Sequence, residues 1–275
     1  MSASAPVPAA TNVAPRGFAI DRSHGRPLRP GSLHTNPRLS QWLSLAEPGV
    51  VRVFTGKVEL GQGILTALQL IVADELDLPL AAVRIVAAST TRGPDEGVTS
   101  GSLSVQDSGG ALRHACAELR GLALQQAGQR AGVAAASIRV DSGCFHSADG
   151  ALLSDYWTLL SDVDLEVAYE GRWAPKTAAQ RRLIGQARPP RLDLADKVFG
   201  QARFIHDLRL PGMLHGRVLR APTLDATLSI WPPDGLGEMP TGVRCWADGR
   251  FIAVIAPSER QADAIAQRLR GLLAW

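Results

Sequence analysis

The chain has 275 residues, 45% of them hydrophobic, with 29 lysines and arginines against 26 aspartates and glutamates. That composition suits a globular chain of about two domains and excludes disorder along the whole length. The net charge of +3 is spread without a basic run, which excludes a nucleic-acid-binding stripe, and no apolar run reaches the roughly 18 residues of a membrane span.

Residues 1–36 are rich in Pro, Ser and Arg and show no apolar period, so they are expected to form a disordered or extended arm. The first sixteen lack the basic start and long apolar core of a signal peptide, which gives a cytoplasmic expectation. The stretch VVRVFTGKVEL (50–60) reads as a strand bent near Gly56. Ile64, Leu65, Leu68, Ile71, Val72 and Leu76 then recur at helical spacing, with Pro79 just beyond the end. VRIVAA (83–88) reads as a second strand, and a polar, glycine-bearing loop follows to about Ser104. A helix is predicted over 109–130, with Leu112, Cys116, Leu119, Ala123 and Ala127 as its core stripe and His114 packed or capping. Ile138 and Val140 suggest a strand, Asp149-Gly150 a hairpin turn, and Ser154 the cap of a short helix through Leu160. A shift in composition marks 171–191 as a linker. Beyond it, strands are expected at 202–205 and 214–219, and a hairpin of 243–246 with 251–256 around Asp248-Gly249. Ser258 and Gln261 fit a capping box that opens a last helix running to Trp275.

Two loops could carry chemistry. Gly61-Gln62-Gly63 stands between a strand and a helix, and Thr99-Ser100-Gly101-Ser102 precedes the long helix. Glycines at a helix entrance let a ligand approach the backbone, and free N–H groups there suit an anion. The same residues can equally form a tight turn and helix caps, and spacing alone leaves both readings open. Cys116, Cys144 and Cys245 lie far apart, with no zinc or iron–sulfur spacing, which suits a reducing compartment.

A resemblance adds to this. NPRLSQWLSL, VFTGKVELGQGILTALQLIVADELDLPLAAVRIV and PDEGVTSGSLSVQDSGGALRHACAELR are similar to the start of the molybdenum-binding large subunit of the xanthine dehydrogenase/aldehyde oxidase family, in its nicotinate dehydrogenase and isoquinoline 1-oxidoreductase branch. RLDLADKVFGQARFIHDLRLPGMLHGRVLRAP and DGRFIAVIAPSERQADAIAQRLRGLLAW resemble that family's α/β hammerhead domain. The resemblance implies an α+β chain with an incomplete molybdenum-cofactor-binding domain over 37–170, a linker over 171–191 and a hammerhead over 192–275. It implies molybdopterin cytosine dinucleotide carrying molybdenum, contacted by Gly61, Gln62, Gly63, Thr99, Gly101 and Ser102, with the Gln62 amide toward an oxo ligand and no direct protein ligand to the metal.

The family's general-base glutamate, in a Gly-x-Gly-Glu stretch near its C-terminus, is expected on a further chain. Gly235-Leu236-Gly237-Glu238 falls where the family has a variable turn and reads as solvated. The partners implied are that further molybdenum-binding chain, a small 2Fe–2S subunit (three scattered cysteines hold no cluster) and a small aromatic substrate, with no nucleic acid and no membrane span. The expected function is a share in a molybdenum hydroxylase that oxidises N-heteroaromatics or aldehydes with oxygen from water. This chain would be inactive alone, with apolar surface exposed on its first domain. The alternative is a fragment or assembly subunit that keeps the fold without activity.

Overall fold

The computed structural model describes residues 31–185, 189–201 and 204–275. Most of the expected arm, including His24, and the first half of the strand expected at 202–205 lie outside them. The chain divides into two compact units, residues 1–194 and 195–275, each with its own buried apolar cluster.

The first unit opens with a short helix, α1 (Gly31–Thr35), where an extended arm was expected. Ser32, Leu33 and Asn36 are buried there, so part of the arm's sequence belongs to the core. Strand β1 (Leu43–Glu47) pairs antiparallel with β2 (Val50–Phe54), and β2 pairs in parallel with β3 (Val83–Val86). Helix α2 (Ile64–Leu76) crosses between those parallel partners, as a parallel pair requires. Sequence pattern showed β2, α2 and β3 but not β1, whose LSLAE segment is a short edge strand with little alternation. The predicted 50–60 strand stops at Phe54, because Thr55 and Gly56 turn their polar groups onto Glu96.

Helix α3 (Gly110–Ala131) follows a six-residue π-helical segment, Ser104–Gly109. Its expected stripe of Leu112, Cys116, Leu119, Ala123 and Ala127 is buried. Strands β4 (Arg139–Asp141), β5 (Cys144–His146) and β6 (Leu152–Asp155) form an antiparallel meander, and helix α4 (Tyr156–Leu159) closes it. Asp155, rather than Ser154, caps α4: its carboxylate accepts from Thr158 N at 2.8 Å.

Three acids crowd the C-terminal end of α2, where the helix dipole disfavours them. Each meets cations or backbone donors from elsewhere. Glu75 accepts from Arg113 Nε at 2.9 Å and Lys176 N at 3.0 Å. Asp77 accepts from Lys176 Nζ at 2.6 Å and Arg120 Nε at 3.2 Å. Asp74 accepts from the backbone of Arg182 and Leu183 at 2.7 and 2.9 Å. Residues 172–183, marked by composition as a linker, are thereby fastened along the first unit, and Arg172 adds an ion pair to Glu118 of α3.

The five-residue helix α5 (Leu194–Val198) spans the sequence division between the units. In the second unit, β7 (His215–Arg220), β8 (Arg244–Asp248) and β9 (Phe251–Ala256) form an antiparallel sheet in the order β7-β9-β8. Ile205, expected in a strand, instead begins a 3-10 turn through Asp207, closed by the Asp207 carboxylate on Phe204 N at 2.9 Å. Helix α6 (Glu259–Leu272) packs Ala262, Ile265, Ala266 and Leu269 into the unit's core beside Ile252, Val254 and Ala256. Ser258 caps it as expected, accepting from Gln261 N at 3.3 Å, while its hydroxyl donates to Gln261 Oε1 at 2.9 Å. No helix among the described residues is long and apolar enough to cross a membrane.

A β-carbon on Gly121 would sit 2.0 Å from the Trp173 indole. Gly121→Ala therefore displaces Trp173, and urea unfolding is expected to show a loss of about 1–3 kcal/mol. His114 Nδ1 lies 2.9 Å from Tyr169 Oη, and burial first, with Arg113 second, lowers the imidazole pKa to about 4. The unfolded chain, at the ordinary value of about 6.5, takes up the proton first. The stability due to neutral His114 is thus complete above about pH 6.5 and declines as pH falls toward its folded value. Thermal melts between about pH 7 and pH 5 should show a shallower slope for His114→Gln than for the parent.

Candidate functional site

The two glycine loops meet on the first unit. After β2 the chain runs beside residues 94–99. Lys57 is buried and donates from Nζ to Glu96 O at 2.9 Å. One residue on, Val58 N donates to Thr99 Oγ1 at 2.9 Å, tying the GQG loop to the Thr-Ser-Gly-Ser loop. The approach is close enough to require Gly56, where a β-carbon would stand 2.7 Å from Pro94 O.

Beneath both loops lies the Glu96 carboxylate, which is buried. Its Oε2 accepts from Thr55 Oγ1 at 2.9 Å, Gly56 N at 2.8 Å and Ser108 Oγ at 3.0 Å, and its Oε1 accepts from Ser32 Oγ at 3.1 Å. Asp107, in the π-helical segment, accepts from Ser32 N at 3.0 Å and shares the single Ser32 hydroxyl hydrogen with Glu96, its Oδ2 being the nearer at 2.8 Å. Composition and spacing singled out none of Lys57, Glu96 or Asp107. Each is a polar side chain in an ordinary-looking loop, and its partners come from distant parts of the sequence.

The N-terminus of α2 differs from a simple anion cradle. Its end is occupied by the protein's own Glu59 carboxylate, which accepts from Gly61 N and Gly63 N, both at 2.9 Å, and from Leu65 N at 3.5 Å. Arg191 stands over that carboxylate, donating to Gly61 O at 2.7 Å and to Glu59 Oε1 at 3.4 Å. Asp193 anchors Arg191 in turn, at 3.0 and 2.9 Å. The positive end of the helix is thus neutralised from within the chain.

Gln62 is exposed at the tip of the turn. Its Oε1 accepts from Leu60 N at 2.6 Å and its Nε2 donates to Val58 O at 2.9 Å. Since an amide nitrogen carries two hydrogens, one N–H stays available outward. Gly61 and Gly63 have φ of 108° and 78°, and nothing lies within 4 Å of a β-carbon built on Gly61. Gly101 and Ser102 are left-handed too, at 66° and 57°, and both are exposed. The exposed apolar side chains Val58, Leu60, Val98 and Val105 stand on the same stretches of chain. The arrangement offers neutral donors (an amide N–H, hydroxyls and turn amides) on a fixed carboxylate-centred base. Among the described residues, no group of three or more His, Cys, Asp or Glu is placed to hold a metal ion. Glu238, in the second unit, is exposed.

Residues 18–186 match the model of the molybdopterin cofactor-binding domain family. The chain is 33% identical over 240 residues to a nicotinate dehydrogenase subunit of Pseudomonas putida, covering 84% of this chain and 20% of that protein. It is 31% identical over 214 residues to a membrane-bound pyrroloquinoline-quinone aldehyde dehydrogenase of Gluconacetobacter polyoxogenes, covering 75% and 26%. It is 28% identical over 220 residues to the beta subunit of isoquinoline 1-oxidoreductase of Brevundimonas diminuta, covering 66% and 28%. The chain therefore spans between a fifth and just over a quarter of the length of the curated relatives it matches.

The Glu96 carboxylate sets a clear test of the loop base. Glu96→Met keeps the length of the side chain but offers no oxygen to Thr55, Gly56 and Ser108, and chemical denaturation should show a loss of about 1–3 kcal/mol for each donor left without a partner.

Proposed function

The chain belongs to the molybdopterin cofactor-binding domain family of xanthine dehydrogenase-type molybdoenzymes, and on that premise we propose that it supplies the GQG-bearing portion of a molybdenum hydroxylase. The complex would oxidise an N-heteroaromatic or aldehyde with water as the oxygen source. The cofactor assigned is molybdopterin cytosine dinucleotide with molybdenum, which supplies a redox-active metal centre when bound.

The loop residues fit such a group. It is rich in oxygen acceptors, and the loops present neutral donors with open space beyond Gly61. Gln62 would offer its free Nε2 hydrogen toward the metal end, held in place by its bonds to Leu60 N and Val58 O. Thr99, whose oxygen already accepts from Val58 N, keeps its hydroxyl hydrogen for the pterin or phosphate portion. Gly101 allows close approach, and Ser102 adds a second hydroxyl. Glu59 and Arg191 act behind the turn, holding Gly61 and Gly63 at the angle that presents Gln62.

The general base and the substrate pocket are assigned to the length of the relatives that this chain does not span. The exposed Val58, Leu60, Val98 and Val105 support a further polypeptide layer over the loops. Cys116, Cys144 and Cys245 are free and stand on α3, β5 and β8. Their separation supports a 2Fe–2S subunit as a distinct partner chain. We assign residues 192–275 to an α/β hammerhead domain, supported by the antiparallel β7-β9-β8 sheet with its α6 helix.

The observation that carries this reading is the joining of the GQG and Thr-Ser-Gly-Ser loops by the Val58 N–Thr99 Oγ1 bond. Co-purification from the native host with metal analysis tests it. Molybdenum and a further large chain should accompany this one, and their absence overturns the reading. In that complex, Gln62→Ala should slow turnover at least about tenfold with an unchanged melting temperature, and an unchanged rate removes the role of Gln62.

A further inference from the structure

At the far end of α2 from the GQG turn lies a basic cleft that the cofactor reading does not use. Its cavity is about 490 Å³, within the roughly 300–1,000 Å³ of small-molecule sites. Arg120 from α3, Arg139 from β4, and Lys176, Arg181 and Arg182 from the stretch fastened along the unit line it, with Asp77 as the one carboxylate among the described residues of its wall. The 13 residues of α2 separate Asp77 from Gly63, which at 1.5 Å per residue is about 20 Å.

The cations divide into two groups. Lys176 and Arg120 are committed to Asp77, at 2.6 and 3.2 Å. Arg182 is shared loosely between Asp77 at 4.0 Å and Asp141 at 3.8 Å. Arg139 and Arg181 have no ion pair and no side-chain hydrogen bond among the described residues, and the Arg181 Nε atom is enclosed without an acceptor. An enclosed, unanswered guanidinium N–H is costly. Two unpaired guanidinium groups lining one cavity, beside a single wall carboxylate that already meets three cations, leave the cleft short of negative charge.

We propose that this cleft binds a phosphorylated small molecule, with Arg139 and Arg181 as its phosphate-binding residues. A guanidinium offers planar, paired N–H donors that match two phosphoryl oxygens at once. Arg139 stands on the edge strand β4 and Arg181 on the stretch fastened along the unit, both lining the one cavity, and a phosphate group held by both would supply the missing acceptor to Arg181 Nε. Arg182 adds a third positive charge at the rim, and Lys176 and Arg120 hold the floor through Asp77. The volume exceeds that of an orthophosphate ion and leaves room for the group that carries the phosphate.

Calorimetric titration of the full chain with pyrophosphate, and separately with adenosine diphosphate, at fixed ionic strength tests the proposal. Saturable binding of either supports it. Equal affinity identifies the free anion as sufficient, and tighter diphosphate-ester binding identifies an organic phosphate as the ligand. Arg139→Gln and Arg181→Gln should each weaken binding at least about tenfold. Exposed Arg139 is the variant least able to disturb folding, with melting temperature as the control. Arg38→Gln, which removes one positive charge from a surface pair with Glu166, should leave the affinity unchanged. The proposal fails if neither phosphate binds, if Arg38→Gln weakens binding as much as Arg139→Gln, or if Gln62→Ala abolishes binding, which would place the anion at the cofactor loops instead.

Discussion

One buried carboxylate organises the loops of the first unit. Glu96 receives hydrogen bonds from Ser32, Thr55, Gly56 and Ser108, which belong to three separate stretches of chain. A carboxylate taken out of water is stable only when its oxygens are fully engaged, so the four donors and the acid hold each other in place. The end of β2, the loop before α3 and the short helix α1 are consequently fixed relative to one another. The bond between Val58 N and Thr99 Oγ1, which brings the two glycine loops together, depends on that arrangement.

A second polar system does the corresponding work at the other end of α2. Asp74, Glu75 and Asp77 are placed where the helix dipole repels them, and cations or amides from α3 and from residues 172–183 offset that cost. The helix that starts at the GQG turn is therefore gripped at both ends, by Glu59 and Arg191 at one and by Lys176, Arg113 and Arg120 at the other. Its apolar residues, Ile64, Leu68, Ile71 and Val72, fill the space between. Burial supplies most of the cohesion, and the ionic ends set direction and register.

Much of this was legible in the sequence, because apolar periodicity reports burial. α2, α3, β2 and β3 follow from it, while the β8–β9 hairpin and the capped start of α6 follow from the local signals of Asp248-Gly249 and of Ser258 with Gln261. The larger departures arise where a polar group takes a distant partner, and a smaller one where two neighbouring residues compete for the same cap. Thr55 and Gly56 leave the predicted strand because Glu96, about 40 residues on, takes their hydrogens. Asp155 rather than Ser154 caps α4, a choice of one residue that local preference cannot make. Composition marked the stretch holding Lys176 and Trp173 by its prolines and arginines, but its bonds to Glu75 and Asp77 join residues about 100 apart. At the site, GQG and Thr-Ser-Gly-Ser were visible as glycine-rich turns. The carboxylate of Glu59 on the helix end was not, since a glutamate two residues before a glycine looks like any solvated side chain.

That Glu59 carboxylate bears on selectivity. Cells hold abundant inorganic phosphate, sulfate and small carboxylates, any of which an open helix end would trap. With its own anion already seated on Gly61, Gly63 and Leu65 and Arg191 paired to it, the turn has these amide donors occupied and leaves a lone small anion no vacant cradle. What remains on offer is a set of uncharged donors at fixed positions, which discriminates by shape. In the assembly proposed above, a ligand would have to bring several acceptors in the right places at once to be held there, and the turn would behave less as a magnet than as a sieve.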